Sequence, residues 1–171
     1  MIRAVILGAS GYVGGELMRL IAHHPAIEVG VAFGASNAGQ PVASVHPNLA
    51  LAYPDRDFAA WDAALLKGCD AIFAALPHGE SQRLADHLLG PGIPLVDLGA
   101  DFRLDSAAEF ERWYGEPHAR PDLLASFTYG LPEFFREAIK DSKRVASPGC
   151  YPTAAGLALK PVVGARAIGK Q

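Results

Sequence analysis

The 171-residue sequence contains little cysteine: Cys69 and Cys150 are its only two, and they stand far apart. Two cysteines cannot build a disulfide framework, so we expect reduced thiols and a cytoplasmic protein. The six histidines form no pair four residues apart and have no cysteine at zinc spacing. The sequence therefore predicts no metal site.

Excess charge and long hydrophobic runs are also missing. The chain has 15 Lys and Arg against 18 Asp and Glu, a net charge of −3, which offers no basic surface to nucleic acid or to an anionic membrane. Apolar runs such as Ala4–Leu7 and Ala71–Leu76 are far shorter than the roughly 20 residues of a membrane-spanning helix, and no secretory signal is expected. We therefore expect a small-molecule partner, with no nucleic acid and no membrane.

Apolar residues, by contrast, make up 50% of the chain and occur in short segments that glycine and proline terminate. Alternation of apolar strands with helical patterns is typical of βαβ units, so we predict an α/β fold with a doubly wound, mostly parallel sheet of the Rossmann type. The predicted strands are Arg3–Leu7, Ile27–Phe33, Cys69–Leu76, Pro94–Leu98 and Arg144–Ala146. The predicted helices are Gly11–His24, Trp61–Lys67, Ser81–Leu89, Ala107–Tyr114 and Glu133–Lys140. Residues Ser36–Pro54 show little periodicity and are predicted to form a long loop.

The first strand runs into a glycine-rich turn, VILGASGYVGGEL, with Gly8, Gly11 and Gly14 three residues apart. Glycine at such positions permits a sharp turn, close approach of the backbone to a pyrophosphate and tight packing of helix on sheet. The helix that follows would offer free N–H groups and a positive dipole end to phosphates. The pattern predicts a dinucleotide site, the alternative being a glycine-rich turn without a ligand.

The end of the second predicted strand bears on the choice of cofactor. NAD sites commonly place a carboxylate there for the ribose 2′-hydroxyl. This chain instead has Phe33 followed by GASNA, with no carboxylate. Ser36 and Asn37 could hydrogen-bond a 2′-phosphate, so the sequence favours NADP over NAD.

Cys150 lies in SPGCYPTAA, at the start of an apolar segment in which Pro152 suits a first helical turn. A helix N-terminus favours a thiolate, which is what a covalent nucleophile requires. The alternative is a buried structural cysteine, the interpretation that we give to Cys69. His78, in the segment LPHGE, could line the same site or could simply cap a turn.

Five segments in this order resemble the N-acetyl-γ-glutamyl-phosphate reductases, the NADP-dependent family of arginine biosynthesis. They are GASGYVG, ALPHGES, DLGADFRL, YGLPE and SPGCYPTA, and SNAGQPVASVHP also resembles the loop that follows the family's second strand. The resemblance covers essentially the whole chain.

The resemblance implies that Cys150 attacks an acyl phosphate, that phosphate leaves, and that NADPH reduces the resulting thioester to a semialdehyde. It implies that Leu76 and Pro77 lie beside the cofactor at the edge of the sheet. The residues that it assigns to the pyrophosphate are Gly8, Ser10, Gly11, Tyr12, Val13 and Gly14.

In this family the nucleophile lies at the start of a second α+β domain, which carries a catalytic histidine and much of the subunit contact surface. All six histidines of this chain precede Cys150. We therefore expect an NADP-binding domain at 1–148 and only the first helix of the second domain at 149–171. We expect this chain alone to be a monomer that binds cofactor without turnover, whereas the full-length family forms homo-oligomers. The alternatives are a related reductase, such as aspartate-semialdehyde dehydrogenase or its lysine-pathway analogue, and an NADP-binding sensor or interaction domain without catalysis.

Overall fold

The computed structural model describes residues 1–167 and contains one six-stranded sheet in which every strand pairs in parallel. The strand order is β2-β1-β3-β4-β6-β5, which places β3 and β4 at the centre of the sheet. The strands are β1 Ile2–Leu7, β2 Ile27–Phe33, β3 Ala71–Ala74, β4 Leu95–Asp97, β5 Thr128–Tyr129 and β6 Arg144–Ala146. The predicted α/β fold with a doubly wound parallel sheet is confirmed.

Seven α-helices connect and flank these strands within residues 1–167. They are α1 Tyr12–Ile21, α2 Val42–Val45, α3 Glu80–Arg83, α4 Ala85–Leu89, α5 Ala107–Tyr114, α6 Pro132–Lys140 and α7 Cys150–Gly164. Short 3₁₀ turns occupy Ala35–Asn37, Pro47–Leu49, Ala63–Leu66 and Pro121–Ser126. None of the helices in this described part has the length and hydropathy that crossing a bilayer requires.

Both faces of the sheet are buried, as β1 shows. Ala4 and Ile6 point into one core with Met18 of α1, while Val5 and Leu7 point into a second core on the opposite face. Successive side chains of a strand alternate between faces, so a strand with apolar residues at every position must be covered on both sides. The covered faces leave the carboxyl edge of the sheet as the place where polar loops meet.

Three local predictions were wrong, and one strand was missed. The short helix predicted at Trp61–Lys67 is a 3₁₀ turn, Ala63–Leu66. The single helix predicted at Ser81–Leu89 is two helices, because Leu84 between them has φ −89° and ψ 1°, outside the helical region. The loop predicted at Ser36–Pro54 contains α2 and two 3₁₀ turns, which are too short to give a periodic pattern. The strand β5 went unpredicted because two residues cannot display an alternation.

Gly8 and Gly39 offer a matched test of close backbone packing, since their φ angles are +73° and +81°. A β-carbon on Gly8 would lie 2.1 Å from the carbonyl oxygen of Ala75, whereas one on Gly39 would meet no atom of the described chain within 4 Å. We expect Gly39→Ala to cost about 1–2 kcal/mol from left-handed backbone strain alone. Gly8→Ala should cost about 1–3 kcal/mol more, because the backbone of β1 or β3 must move. Urea unfolding of both variants measures the difference, and equal losses would contradict the close approach.

Candidate functional site

The turn from Gly8 to Gly14, called the glycine turn below, is held by backbone contacts that exclude larger residues. A β-carbon on Gly14 would lie 2.3 Å from the carbonyl oxygen of Gly8, and Gly8 itself packs against Ala75 after β3. The N–H of Gly11 donates to the carbonyl oxygen of Gly8 at 3.0 Å, which closes the turn. The turn therefore presents the N-terminus of α1 at the carboxyl edge of the sheet.

The N-terminus of α1 has the properties of an anion site. The first N–H groups of a helix lack an intrahelical acceptor, and Tyr12 and Val13, which begin α1, are 92% and 48% exposed. The first turn of α1 has no acidic residue to compete for those groups. The hydroxyl of Ser10 donates to the carbonyl oxygen of Gly34 at 2.9 Å and joins the glycine turn to the end of β2. This arrangement suits a phosphate group.

The segment after β2 turns sharply. Ala35 has φ +45°, an uncommon conformation for a residue with a β-carbon. The N–H of Asn37 donates to the carbonyl oxygen of Gly34 at 2.8 Å, and Ser36 is exposed on the same turn. Ser36 and Asn37, which were predicted to hydrogen-bond a 2′-phosphate, thus lie on a short turn that Ser10 contacts through Gly34.

The middle of the carboxyl edge connects the cofactor side of the site to the cysteine side. Leu76 is half-buried and Pro77 is exposed where the chain leaves β3. A β-carbon on Gly99, which follows β4, would lie 3.6 Å from the carbonyl oxygen of Leu76. Arg103 donates from Nη2 to the carbonyl oxygen of Gly99 at 2.5 Å. These contacts run from β3 across β4 to an arginine.

Cys150 begins α7 and is exposed, so the structure places its thiol at a helix N-terminus, as predicted from Pro152. The preceding residue, Gly149, has φ +87°, and a β-carbon there would lie 2.8 Å from Nη1 of Arg103. The guanidinium is therefore adjacent to the backbone that carries the cysteine. Sequence reasoning did not assign Arg103 a role, although it belongs to the DLGADFRL segment.

Cys69 and His78 lie apart from this chemistry. Cys69 is buried, and burial raises the pKa of its thiol, which agrees with the structural role predicted for it. The imidazole of His78 stacks on Tyr114 at 4.6 Å, with Nδ1 3.3 Å from Asp101 and Nε2 3.1 Å from Glu116. Both ring nitrogens of His78 thus face carboxylates of the protein, which favours the turn-capping interpretation.

Two buried carboxyl groups, also missed by sequence reasoning, organise the loops at the edge. Asp101 accepts hydrogen bonds from the N–H groups of Gly79 and Gln82, at 2.8 and 3.0 Å, and so fixes the start of α3. Asp97, at the end of β4, accepts from the Ser81 hydroxyl at 2.7 Å through Oδ1. Its Oδ2 has no hydrogen-bond partner among residues 1–167. Burial, assisted by the neighbouring charge of Asp101, raises the pKa of Asp97 to about 6.

Residues 1–167 contain no group of three or more His, Cys, Asp or Glu side chains that could hold a metal ion. The polar groups at the carboxyl edge are instead backbone N–H groups, hydroxyls, an amide, a guanidinium and a thiol. These groups can bind phosphates and carry out nucleophilic chemistry.

We predict that Cys150 reacts with iodoacetamide at pH 7 much faster than Cys69. Cys150 is exposed at a helix N-terminus, whereas burial both shields Cys69 and raises the pKa of its thiol. Peptide mass spectrometry over a time course measures the two rates. The Cys150→Ser variant serves as the control for the rate at Cys69, and equal rates in the wild-type chain would contradict the prediction.

The buried carboxyl group of Asp97 should make the free energy of unfolding of the chain depend on pH. A carboxyl whose pKa is raised on folding, here from 3.8 to about 6, binds more protons in the folded state, so its contribution to stability is lost as the pH rises through that interval. The loss should reach about 3 kcal/mol above pH 6, at about 1.4 kcal/mol for each pKa unit. Asp97→Asn should lack this loss. Urea unfolding at pH 4.5 and pH 7.5 compares the two chains, and parallel pH profiles would contradict the assignment.

The chain is similar to known proteins in both sequence and fold. The family model described as semialdehyde dehydrogenase, NAD binding domain, matches residues 3–142. Among solved structures, the aspartate semialdehyde dehydrogenase with NADP from Candida albicans superposes with a TM-score of 0.67 at 16% identity, over 96% of this chain and 47% of that one. The aspartate semialdehyde dehydrogenase II complexed with ASA from Vibrio cholerae gives a TM-score of 0.66 at 16% identity, with the same coverage. At such identities the likeness concerns the fold.

Curated relatives share more of the sequence. The chain is 49% identical over 163 residues to the N-acetyl-gamma-glutamyl-phosphate reductase of Ectopseudomonas mendocina, and 47% identical to that of Azotobacter vinelandii. Each alignment covers 95% of this chain and 47% of the relative, so the chain spans about half the length of the curated relatives it matches. The chain belongs to the semialdehyde dehydrogenase family, whose NAD-binding domain it contains, and within that family it is similar to the N-acetyl-gamma-glutamyl-phosphate reductases.

Proposed function

We propose that this chain binds NADP(H) and carries the nucleophile for the reduction of N-acetyl-γ-glutamyl phosphate to the semialdehyde. The observation that carries the proposal is the continuous set of contacts along the carboxyl edge. It runs from the glycine turn through Leu76 and Gly99 to Arg103 and Gly149, the residue before Cys150. A phosphate-binding turn and an exposed thiol on one edge are what a nicotinamide-dependent reduction of an acyl group requires.

The residues at the glycine turn fit a dinucleotide. The backbone of Gly8, Gly11 and Gly14 leaves open the space that side chains would fill, and the first N–H groups of α1, at Tyr12 and Val13, would hold the pyrophosphate. Ser10 would fix the turn against β2 through its bond to Gly34. Leu76 and Pro77 would line the path of the nicotinamide half, and Ser36 and Asn37 would receive the 2′-phosphate.

The chemistry would begin at Cys150. Its thiolate would attack the acyl carbon, forming a carbon–sulfur bond while the carbon–oxygen bond to phosphate breaks. Arg103 lies beside Gly149 and would attract the leaving phosphate with its fixed positive charge. Bound NADPH would supply the hydride for the thioester carbon, and the carbon–sulfur bond would then break to release the aldehyde and return the thiolate of Cys150.

A division of the chain accompanies the proposal. Residues 1–148 would form the nucleotide-binding domain, and 149–171 would begin the substrate domain. The support is that α7, within the described residues, has no buried side chain and exposes Leu159 and Val163. Residues 168–171 of this assignment lie outside the described residues. We also propose that this chain is a monomer and that it is located in the cytoplasm. The longer family members would form homo-oligomers.

The cofactor test is a calorimetric titration of this chain with NADPH and NADH. We expect NADPH to bind more tightly, by about tenfold or 1.4 kcal/mol, because the end of β2 offers Ser36 and Asn37 in place of a carboxylate. Asn37→Asp should reverse the order, since a carboxylate repels a 2′-phosphate and accepts from a 2′-hydroxyl. Asn48→Asp adds the same charge at an exposed position outside that turn and should leave the preference unchanged.

Failure of both nucleotides to bind would overturn the proposed function. Binding in which NADH is at least as tight as NADPH would overturn only the choice of cofactor. A preference that Asn37→Asp and Asn48→Asp change equally would show that net charge, and not the position of Asn37, decides it.

A further inference from the structure

The segment from Ala35 to Phe58, called the 35–58 segment below, leaves β2 and returns beside it. Phe58 lies at the end of this return, is 1% exposed and has its Cβ 2.4 Å from the position that a β-carbon on Gly34 would take. The N–H of Gly34 donates to the carbonyl oxygen of Ala59 at 3.1 Å. The segment therefore packs directly on the residue where β2 ends and the turn bearing Ser36 begins.

His46 lies in the middle of this segment and contacts the glycine turn. Its Nε2 lies 2.9 Å from the carbonyl oxygen of Ala9, a residue inside the turn, and can only donate to that acceptor. Its ring also covers Gly15 of α1, because a β-carbon there would lie 2.5 Å from the imidazole. Gly15 thus leaves the space that the His46 ring occupies, whereas Gly14 leaves the space that the backbone of the glycine turn occupies.

The contacts form a closed ring. Ala9 bonds His46, His46 packs edge-on against Phe58 with ring centroids 5.9 Å apart, and Phe58 covers Gly34. The carbonyl oxygen of Gly34 accepts a hydrogen bond from the hydroxyl of Ser10, which is the neighbour of Ala9 in the chain. A ring of this kind fixes the glycine turn and the start of the 35–58 segment relative to each other, so that neither can move alone.

We propose that His46 is a positioning residue for the dinucleotide. It holds the carbonyl of Ala9, and with it the N–H groups of the glycine turn, in the orientation that accepts the pyrophosphate, and it does so without touching the cofactor. Through Phe58 it also sets the place of the Ser36–Asn37 turn. The inference rests on the proposed binding of NADP(H) at this edge, and it adds a residue that the glycine motif does not contain.

Tyr53 provides a matched control. It belongs to the same segment, and its hydroxyl donates at 2.8 Å to a backbone carbonyl of the same helix, that of Met18 in the second half of α1. Removing that hydroxyl in Tyr53→Phe deletes a hydrogen bond of the same class, away from the glycine turn. A merely structural contribution of His46 would therefore be matched by Tyr53, whereas an effect on cofactor binding would not.

The experiment measures NADPH affinity by calorimetry and stability by urea unfolding in the same variants. We expect His46→Leu to weaken NADPH binding about fivefold, the size expected from one lost hydrogen bond. Tyr53→Phe should lower the free energy of unfolding about as much as His46→Leu does, and it should leave the NADPH affinity unchanged. His46→Gln, which keeps an N–H donor, should recover most of the affinity.

Amide hydrogen exchange of the chain without nucleotide provides a second measurement. His46→Leu should accelerate exchange at the N–H of Gly11 and Gly15, which donate to Gly8 and Gly11, while Tyr53→Phe should not. Equal NADPH affinity of wild type and His46→Leu, or equal losses in His46→Leu and Tyr53→Phe, would overturn the inference and leave the proposed function standing. A wild-type chain that binds no NADPH would overturn the proposed function, and the inference with it.

Discussion

The approach of the glycine turn to the end of β3 is the constraint on which the site depends. Gly8 adopts a positive φ and comes so close to Ala75 that no side chain fits between them, and Gly14 packs equally closely on Gly8. This packing fixes where α1 starts, and the start of α1 decides where its free N–H groups point. A looser turn would move the helix terminus away from the edge of the sheet at which the other loops end.

A parallel sheet explains why those loops meet. The carboxyl ends of all six strands lie along one edge, and four of the strands are followed by segments of different chemistry. β1 leads to backbone N–H groups, β2 to a hydroxyl and an amide, β4 to an arginine, and β6 to a cysteine at the start of α7. The buried carboxyl groups of Asp97 and Asp101 stabilise the intervening loops and are not exposed at the edge. The burial that raises the pKa of Asp97 is thus a consequence of packing these loops closely.

Local pattern was sufficient for much of the fold. The strand Ile27–Phe33 and the helix Ala107–Tyr114 were predicted with the bounds that the structure has, because each carries a run or a periodicity long enough to read. Ser106 also caps α5, its hydroxyl accepting from the N–H of Glu109, which is a purely local signal. Ser81–Leu89 was predicted incorrectly because its apolar spacing is helical throughout, whereas the change of direction at Leu84 leaves no mark in that spacing.

The sequence by itself determined the parallel α/β class, the glycine turn and the cysteine at a helix start, since each depends on residues near one another in the chain. Only the tertiary structure decided which distant groups join them. Arg103 reaches Gly149 across 46 positions and His46 reaches Ala9 across 37, and nothing in the local spacing of either residue indicates its partner. The tertiary structure also decided between the two interpretations of His78, since the residues that surround its ring come from α5 and from the loops on either side of that helix. Contacts of this kind arise because strands distant in sequence pair side by side, and a sheet edge therefore gathers chemistry that no single segment contains.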